Sequence, residues 1–141
     1  LQKLWRNNNK GSEVMGLDNI IYEKKGVSNK ELSEALKPLC GGSFMTDDNN
    51  SFRGKVYSDF NEAISGYDLY GTDEWEHEEL ESIVMSYEEL IKEDKVDEWL
   101  SSYNKANENV WGIDFKKDEF MALYKVFKLC MDNSWRINAW F

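Results

Sequence analysis

The apolar positions of the chain follow two different periods, and together they predict a helix-rich α+β domain. Short runs rich in β-branched and aromatic residues lie near both ends, at 17–22 and 134–141, and are typical of strands. Between these runs, apolar residues recur three or four positions apart, as on one side of an amphipathic helix. We therefore expect one domain in which the N- and C-terminal strands form a small antiparallel sheet and helices supply the rest.

Start and stop signals place two helices in the first half of the chain. A capping box that opens at Ser28 begins the first helix, and Pro38 with the glycine pair 41–42 ends it. Apolar residues at helical spacing over 56–64 predict a second helix, which Gly66 closes. Two short apolar pieces around a polar turn lie between these helices and predict a hairpin or a loop.

The second half is expected to contain an acidic helix and a long last helix. Thr72 is a good N-cap for the acidic helix. Ser86 and Glu89 form a second capping box, at which this helix is predicted to break and restart. Apolar residues over 117–131 recur on one helical side and predict the last helix.

Length and composition fit a single globular domain. The chain has 141 residues, 14% of them aromatic, and such a chain buries a core without a metal or a disulfide. Residues 1–14 are polar and basic and are expected to form a flexible arm, which leaves 15–141 as the domain. No apolar run approaches the roughly 20 residues of a membrane helix, and no signal peptide is visible. We expect a soluble cytoplasmic protein without membrane contact, in which Cys40 and Cys130 are buried free thiols rather than a disulfide.

The charge of the chain is concentrated in one stretch. The whole chain carries −10. Residues 73–98, which we call the acidic segment, hold twelve acids and two lysines, so the remainder is neutral. This segment would repel phosphates, which argues against direct nucleic-acid binding, and it would attract a basic protein surface.

Five acids of this segment are the candidate partner-binding residues. They are Glu74, Glu78, Glu81, Glu88 and Glu89. We expect them to form an acidic helical face that imitates a phosphate backbone in the basic groove of another protein. The alternative is a solvated helix face that keeps an aromatic-rich domain in solution.

The loop 41–55 is a second candidate site. Its glycine pair allows backbone amides to converge on an anion. Arg53 can hold a phosphate or carboxylate in a fork, Lys55 adds a positive charge, and both would lie at the N-terminus of a helix over 55–65. The candidate anion-binding residues are Ser43, Ser51, Arg53 and Lys55. The alternative is a glycine loop with two surface cations, because the spacing matches no nucleotide-binding motif.

The sequence gives little support for metal binding or catalysis. His77, the single histidine, lies among glutamates on a helix that is expected to be exposed, which favours a solvated side chain over acid–base chemistry. One histidine and two distant cysteines are too few for a zinc site. Residues 47–50 resemble a calcium loop in composition alone. We expect no metal, no cofactor and no catalytic residue.

Four short stretches also stand out together. Residues 15–20 read Met-Gly-Leu-Asp-Asn-Ile, 42–44 Gly-Ser-Phe, 51–57 Ser-Phe-Arg-Gly-Lys-Val-Tyr and 66–70 Gly-Tyr-Asp-Leu-Tyr. They resemble segments of small uncharacterised phage and prokaryotic proteins that begin with Met-Gly-Leu-Asp. Some of those proteins carry a further cysteine-containing segment, which this chain lacks. The resemblance implies a phage or mobile-element origin and draws attention to Arg53 and Lys55 without assigning an activity.

These observations support three functional hypotheses. The leading one is a non-enzymatic phage or mobile-element protein whose acidic face binds and modulates a host protein, for example one of antiviral defence. The second is a small anion- or nucleotide-binding protein that uses the loop 41–55. The third is an enzyme of unrecognised type. The first requires the acidic face and the second requires the loop cations, so substitutions distinguish them.

Overall fold

A four-stranded antiparallel sheet joins the two ends of the described chain. The computed structural model describes residues 18–22, 30–42, 44–46, 49–69, 74–107 and 114–140. The strands are β1 (Asp18–Tyr22), β2 (Phe44–Thr46), β3 (Asn49–Arg53) and β4 (Arg136–Trp140). Their order is β2-β3-β1-β4, which confirms the predicted hairpin and the predicted pairing of the N- and C-terminal strands.

The register of the sheet separates a core side from an outer side. Asp18 lies opposite Trp140 at one end of the β1–β4 pair. Side chains alternate between the two sides of a strand, so Ile21, Phe52 and Ile137 share one side. All three are buried in the hydrophobic core, which identifies this side as the one that the helices cover.

One core-facing position of β1 is polar. Asn19 shares the core side with Ile21 and Phe52 and is fully buried. Neither its Oδ1 nor its Nδ2 has a hydrogen-bond partner among the described residues. A buried amide without partners costs free energy, so Asn19 lowers the stability of the sheet relative to an apolar residue.

Five helices pack on the core side in the described part of the chain. They are α1 (Lys30–Leu36), α2 (Ser58–Ser65), α3 (His77–Lys92), α4 (Val96–Ala106) and α5 (Lys117–Asn133). Helix α5 lies between α1 and α3, α2 packs on α3, and α4 contacts both α3 and α5. The predicted helix-rich α+β architecture is confirmed. None of these helices combines the length and the apolar character that crossing a bilayer requires.

The acidic helix begins later than its sequence signal predicts. Thr72 and the predicted arm 1–14 lie outside the described residues, but the N-cap of α3 is Glu76, so the predicted cap at Thr72 is wrong. The physical reason is strand pairing, because Glu74 bridges Asn138 of β4 and the N–H of Trp75 donates to the carbonyl of Ile137 at 3.1 Å. The extended backbone also buries the indole of Trp75, which a helix starting at 73 would have displaced.

The predicted break at Ser86 does not occur. Helix α3 is continuous from His77 to Lys92, because the Ser86 hydroxyl donates to the carbonyl of Ser82, one turn earlier, instead of capping a new helix. The chain turns instead at residues 93–95, where Asp94 adopts a left-handed conformation with φ 54°.

The second helix also starts later than predicted. Residues 54–57 form a turn in which the Tyr57 N–H donates to the Gly54 carbonyl at 3.0 Å, and α2 begins at Ser58. Lys55 therefore lies before the helix rather than in its first turn. Gly66 ends α2 as predicted, with φ 85°.

Gly42 and Gly66 are required for different reasons, a close backbone contact and a positive φ. A Cβ on Gly42 would lie 1.7 Å from the carbonyl oxygen of Leu36, whereas a Cβ on Gly66 would meet nothing within 4 Å. We expect Gly42→Ala to destabilise the protein by about 3 kcal/mol, because the backbone of α1 cannot move aside. Gly66→Ala should cost about 1 kcal/mol, from its positive φ alone. Urea unfolding of both variants tests this order, and equal losses would contradict it.

A single asparagine fixes the segment before α5. Asn104 accepts a hydrogen bond from the N–H of Phe115 and donates one to its carbonyl, both at 3.0 Å. We expect Asn104→Ala to lower the free energy of unfolding by about 1–3 kcal/mol, because two backbone groups lose their partners. Asn107→Ala is the matched control, since it removes one exposed bond to Tyr103 and should cost less than about 0.5 kcal/mol. Thermal melts that rank the two variants equally would refute this role.

Candidate functional site: the outer face of α3

Helix α3 has one buried side and one solvent-facing side. Leu80, Ile83, Val84 and Tyr87 recur at helical spacing and are almost fully buried against the core. At 100° per residue, the opposite side carries Glu78, Glu81, Ser82, Met85, Glu89 and Lys92. We call these six residues the α3 outer face. The packing of α3 on α2 and α5 therefore determines which acids point to solvent.

The structure divides the five predicted acids into two groups. Glu78, Glu81 and Glu89 lie together on the α3 outer face and are exposed. Glu74 precedes the helix, bridges β4 and forms an ion pair with Arg136 at 3.3 Å. Glu88 points toward α5, so two of the five acids do not belong to the outer face.

Glu88 joins α3 to α5. Its carboxylate accepts a hydrogen bond from the Tyr124 hydroxyl at 2.8 Å and lies 3.8 Å from the ammonium group of Lys128. It is partly buried, with 37% of its side chain exposed. Glu88 therefore contributes to the packing of α3 on α5.

Most other acids of the segment have local partners. Glu93 pairs with Lys95 at 3.5 Å, and Asp97 pairs with Lys117 of α5 at 3.6 Å. Glu79 accepts a hydrogen bond from the Glu76 N–H at the start of α3. By contrast, Glu78 and Glu89 of the α3 outer face form no ion pair with any described residue.

A hydrophobic side chain occupies the middle of this charged face. Met85 is 61% exposed, the largest exposure of any large hydrophobic residue in the described ranges. It borders a shallow hollow of about 430 Å³ whose lining comes from α3: Ser82, Met85, Ser86, Glu88, Glu89 and Lys92. An apolar side chain in this position would gain free energy if another molecule removed it from water.

His77 and the cysteines take no part in a reactive cluster. His77 is exposed and lies 4.0 Å from Glu81, one turn along α3. Cys130 is buried as predicted, but Cys40 is exposed, so the prediction of two buried thiols is wrong for Cys40. Cys40 lies in the turn after α1, where only its backbone is held by the fold. No group of three potential metal ligands occurs in the described residues.

The structure brings part of the predicted anion loop together. The side chain of Arg53 packs over Gly41, where an added Cβ would lie 2.6 Å from its Cγ. Ser51 is buried in β3 and Lys55 is partly exposed, while Ser43 lies outside the described residues.

Several amides of this loop are already engaged. The Gly42 N–H donates to Leu39, the Cys40 N–H donates to the Tyr57 hydroxyl, and the Arg53 N–H donates to Cys40. The glycine pair thus serves close backbone packing, and these three amides do not point at an anion. Anion binding by this loop stays a prediction.

A buried tyrosine, which the sequence presents as an apolar helix position, connects three parts of the fold. The Tyr57 hydroxyl accepts a hydrogen bond from the Cys40 N–H at 2.8 Å and donates one to Glu119 at 2.6 Å. A second buried phenol, that of Tyr87, donates to Asn61 at 2.6 Å. Sequence periodicity predicts that the tyrosine rings are buried, but it does not predict the hydrogen bonds of their hydroxyl groups. The one sequence signal for a polar contact here was Glu119. It is the third residue of α5, a position that favours acids whose side chains accept hydrogen bonds from backbone amides.

These tyrosines make stability sensitive to alkaline pH. Burial raises the pKa of Tyr103 to about 12, with a contribution from Asp59, and burial together with the Glu88 hydrogen bond raises the pKa of Tyr124 to about 12. Burial also raises the pKa of Tyr57 and Tyr87 above the ordinary value of 10.0. The folded state holds these protons more tightly, so its full stability is present below pH 10 and is lost as pH rises through about 12. Urea midpoints should fall across this window, less steeply in Tyr124→Phe. A flat profile would contradict the assigned environments.

No protein-family model matches the chain, and no curated protein sequence or solved structure is significantly similar to it. The resemblance to small phage and prokaryotic proteins therefore stays a prediction.

Proposed function

We propose that this protein is a non-enzymatic binding protein whose α3 outer face docks on a basic surface of another protein. The observation that carries the proposal is the exposure of Met85 among Glu78, Glu81 and Glu89. Charged side chains alone keep a protein in solution, but an apolar side chain exposed among them gains free energy only when another molecule covers it.

The distribution of charge indicates the kind of partner. The acidic segment holds twelve acids and two lysines, and three of its exposed acids, Glu78, Glu81 and Glu89, lie on the α3 outer face. Such a field accelerates encounter with a positive surface and opposes contact with nucleic acid. The partner is therefore a protein with a basic groove or helix.

The biological setting is part of the proposal. The resemblance to phage and prokaryotic proteins supports a phage or mobile-element origin, and the partner is then a host protein, such as a component of antiviral defence, in the host cytoplasm. Binding would modulate that protein by occupying a basic groove that otherwise receives phosphates.

The partner can be captured with a crosslinking group placed on the α3 outer face. A photo-crosslinking amino acid at Ser82, on the α3 outer face, should capture a basic protein from host cells. The same group at Ser101, an exposed position of α4, serves as the control. Capture at both positions, or of acidic proteins, would argue against the face.

Charge reversal tests the face quantitatively. Glu78→Lys, Glu81→Lys and Glu89→Lys together should lower the association rate constant with the captured partner at least about tenfold at low salt, because electrostatic steering is lost. The effect should shrink at high salt. The fold should survive, since all three positions are exposed, and thermal melts check this.

The matched control reverses three exposed acids elsewhere. Glu31→Lys, Glu34→Lys and Asp114→Lys change the net charge by the same amount but lie on α1 or before α5. If both triple variants slow association equally, net charge alone acts and the α3 outer face is not the docking surface.

A further inference from the structure

The α3 outer face has a shape as well as a charge. Ser82 and Ser86 lie one turn apart beside Met85, and their small side chains form the floor of the hollow. The Ser86 hydroxyl already donates to the Ser82 carbonyl at 3.1 Å, so it needs no hydrogen-bond acceptor from a molecule bound in the hollow. Beside these serines, the exposed and flexible side chain of Met85 forms the apolar part of the lining.

Two carboxylates lie along the same side of α3 as the hollow. Glu78 and Glu89 are eleven positions apart, which is about 16 Å along the axis of α3. Met85 lies between them, Glu81 lies at one side, and the lining of the hollow extends past Glu89 to Lys92. A helix laid along α3 presents side chains at intervals that match both carboxylates and the hollow.

Resting on the proposed function, we infer that the docking element of the partner is a basic amphipathic helix. One apolar side chain of that helix lies in the hollow against Met85, over Ser82 and Ser86, and its lysines or arginines pair with Glu78 and Glu89. The small serines permit the close approach of the two helices. The apolar contact slows dissociation, and the acids accelerate association.

A second copy of this chain is a poorer occupant. Two α3 outer faces would bring six glutamates together, and the chain carries −10 overall. Like charges at an interface oppose association, so charge complementarity favours a basic helix.

Synthetic peptides test the inference directly. The probe is a short helical peptide of alanine and lysine with one leucine placed between two lysines on the same side. Its matched controls replace the leucine with serine, or the lysines with glutamates. The leucine peptide should bind about tenfold more tightly than the serine peptide, because a buried leucine contributes at that level. Fluorescence anisotropy measures the three dissociation constants.

Protein variants locate the contact. Met85→Ser and the hollow-filling Ser82→Phe should each reduce binding of the leucine peptide to the level of the serine peptide. Met121→Ser is the matched control, because Met121 of α5 is the other exposed large hydrophobic residue and lies outside the face. Hydrogen exchange on the native protein provides a readout that needs no variant, and it should show peptide-dependent protection within 78–92.

The outcomes separate the inference from the proposed function. If leucine and serine peptides bind equally and both lose affinity when Glu78 and Glu89 become glutamine, the apolar anchor is wrong and the electrostatic docking surface stands. If the acidic peptide binds as well as the basic ones, the proposed function itself fails. A dimer of the native protein that Met85→Ser dissociates would identify a second copy as the occupant and overturn the inference.

Discussion

The pairing of β1 with β4 is the constraint on which the rest of the structure depends. It places residues from the two ends of the described chain side by side and fixes which side of the sheet faces the helices. The extended residues 74–75 then add to the free edge of β4, which sets the starting point and direction of α3. The orientation of the acidic helix, and so the identity of its outward acids, follows from strand pairing.

The acids of one short segment perform two different tasks. Those near other elements, such as Glu74 and Glu88, hold β4 and α5 through an ion pair and a hydrogen bond. Those on the far side of α3 have no such partners and surround an exposed methionine. Some acids of the segment therefore hold elements of the fold together, and others contribute an electrostatic field at the surface.

Sequence periodicity predicted the α+β class, the sheet of terminal strands and the buried side of α3, because these depend on local burial patterns. It misplaced the start of α3, since a bridge from residue 74 to Asn138 is a long-range contact that no local signal contains. It grouped five acids into one face, whereas in the structure Glu74 and Glu88 contact other elements and the other three lie on the α3 outer face. The contacts of Glu88 have no local sequence signal, because its partners Tyr124 and Lys128 lie on a helix far along the chain.

Asn19 has a consequence for the nascent chain. Asp18 and Trp140 are paired although 122 positions separate them, so β1 must wait for almost the whole described chain to be synthesised before β4 covers its edge. An uncovered strand with apolar core positions is a template for aggregation. The amide of Asn19 interrupts the apolar side of that strand, as gatekeeper residues do. The amide that weakens the finished sheet thus also makes β1 less apolar while its edge is uncovered.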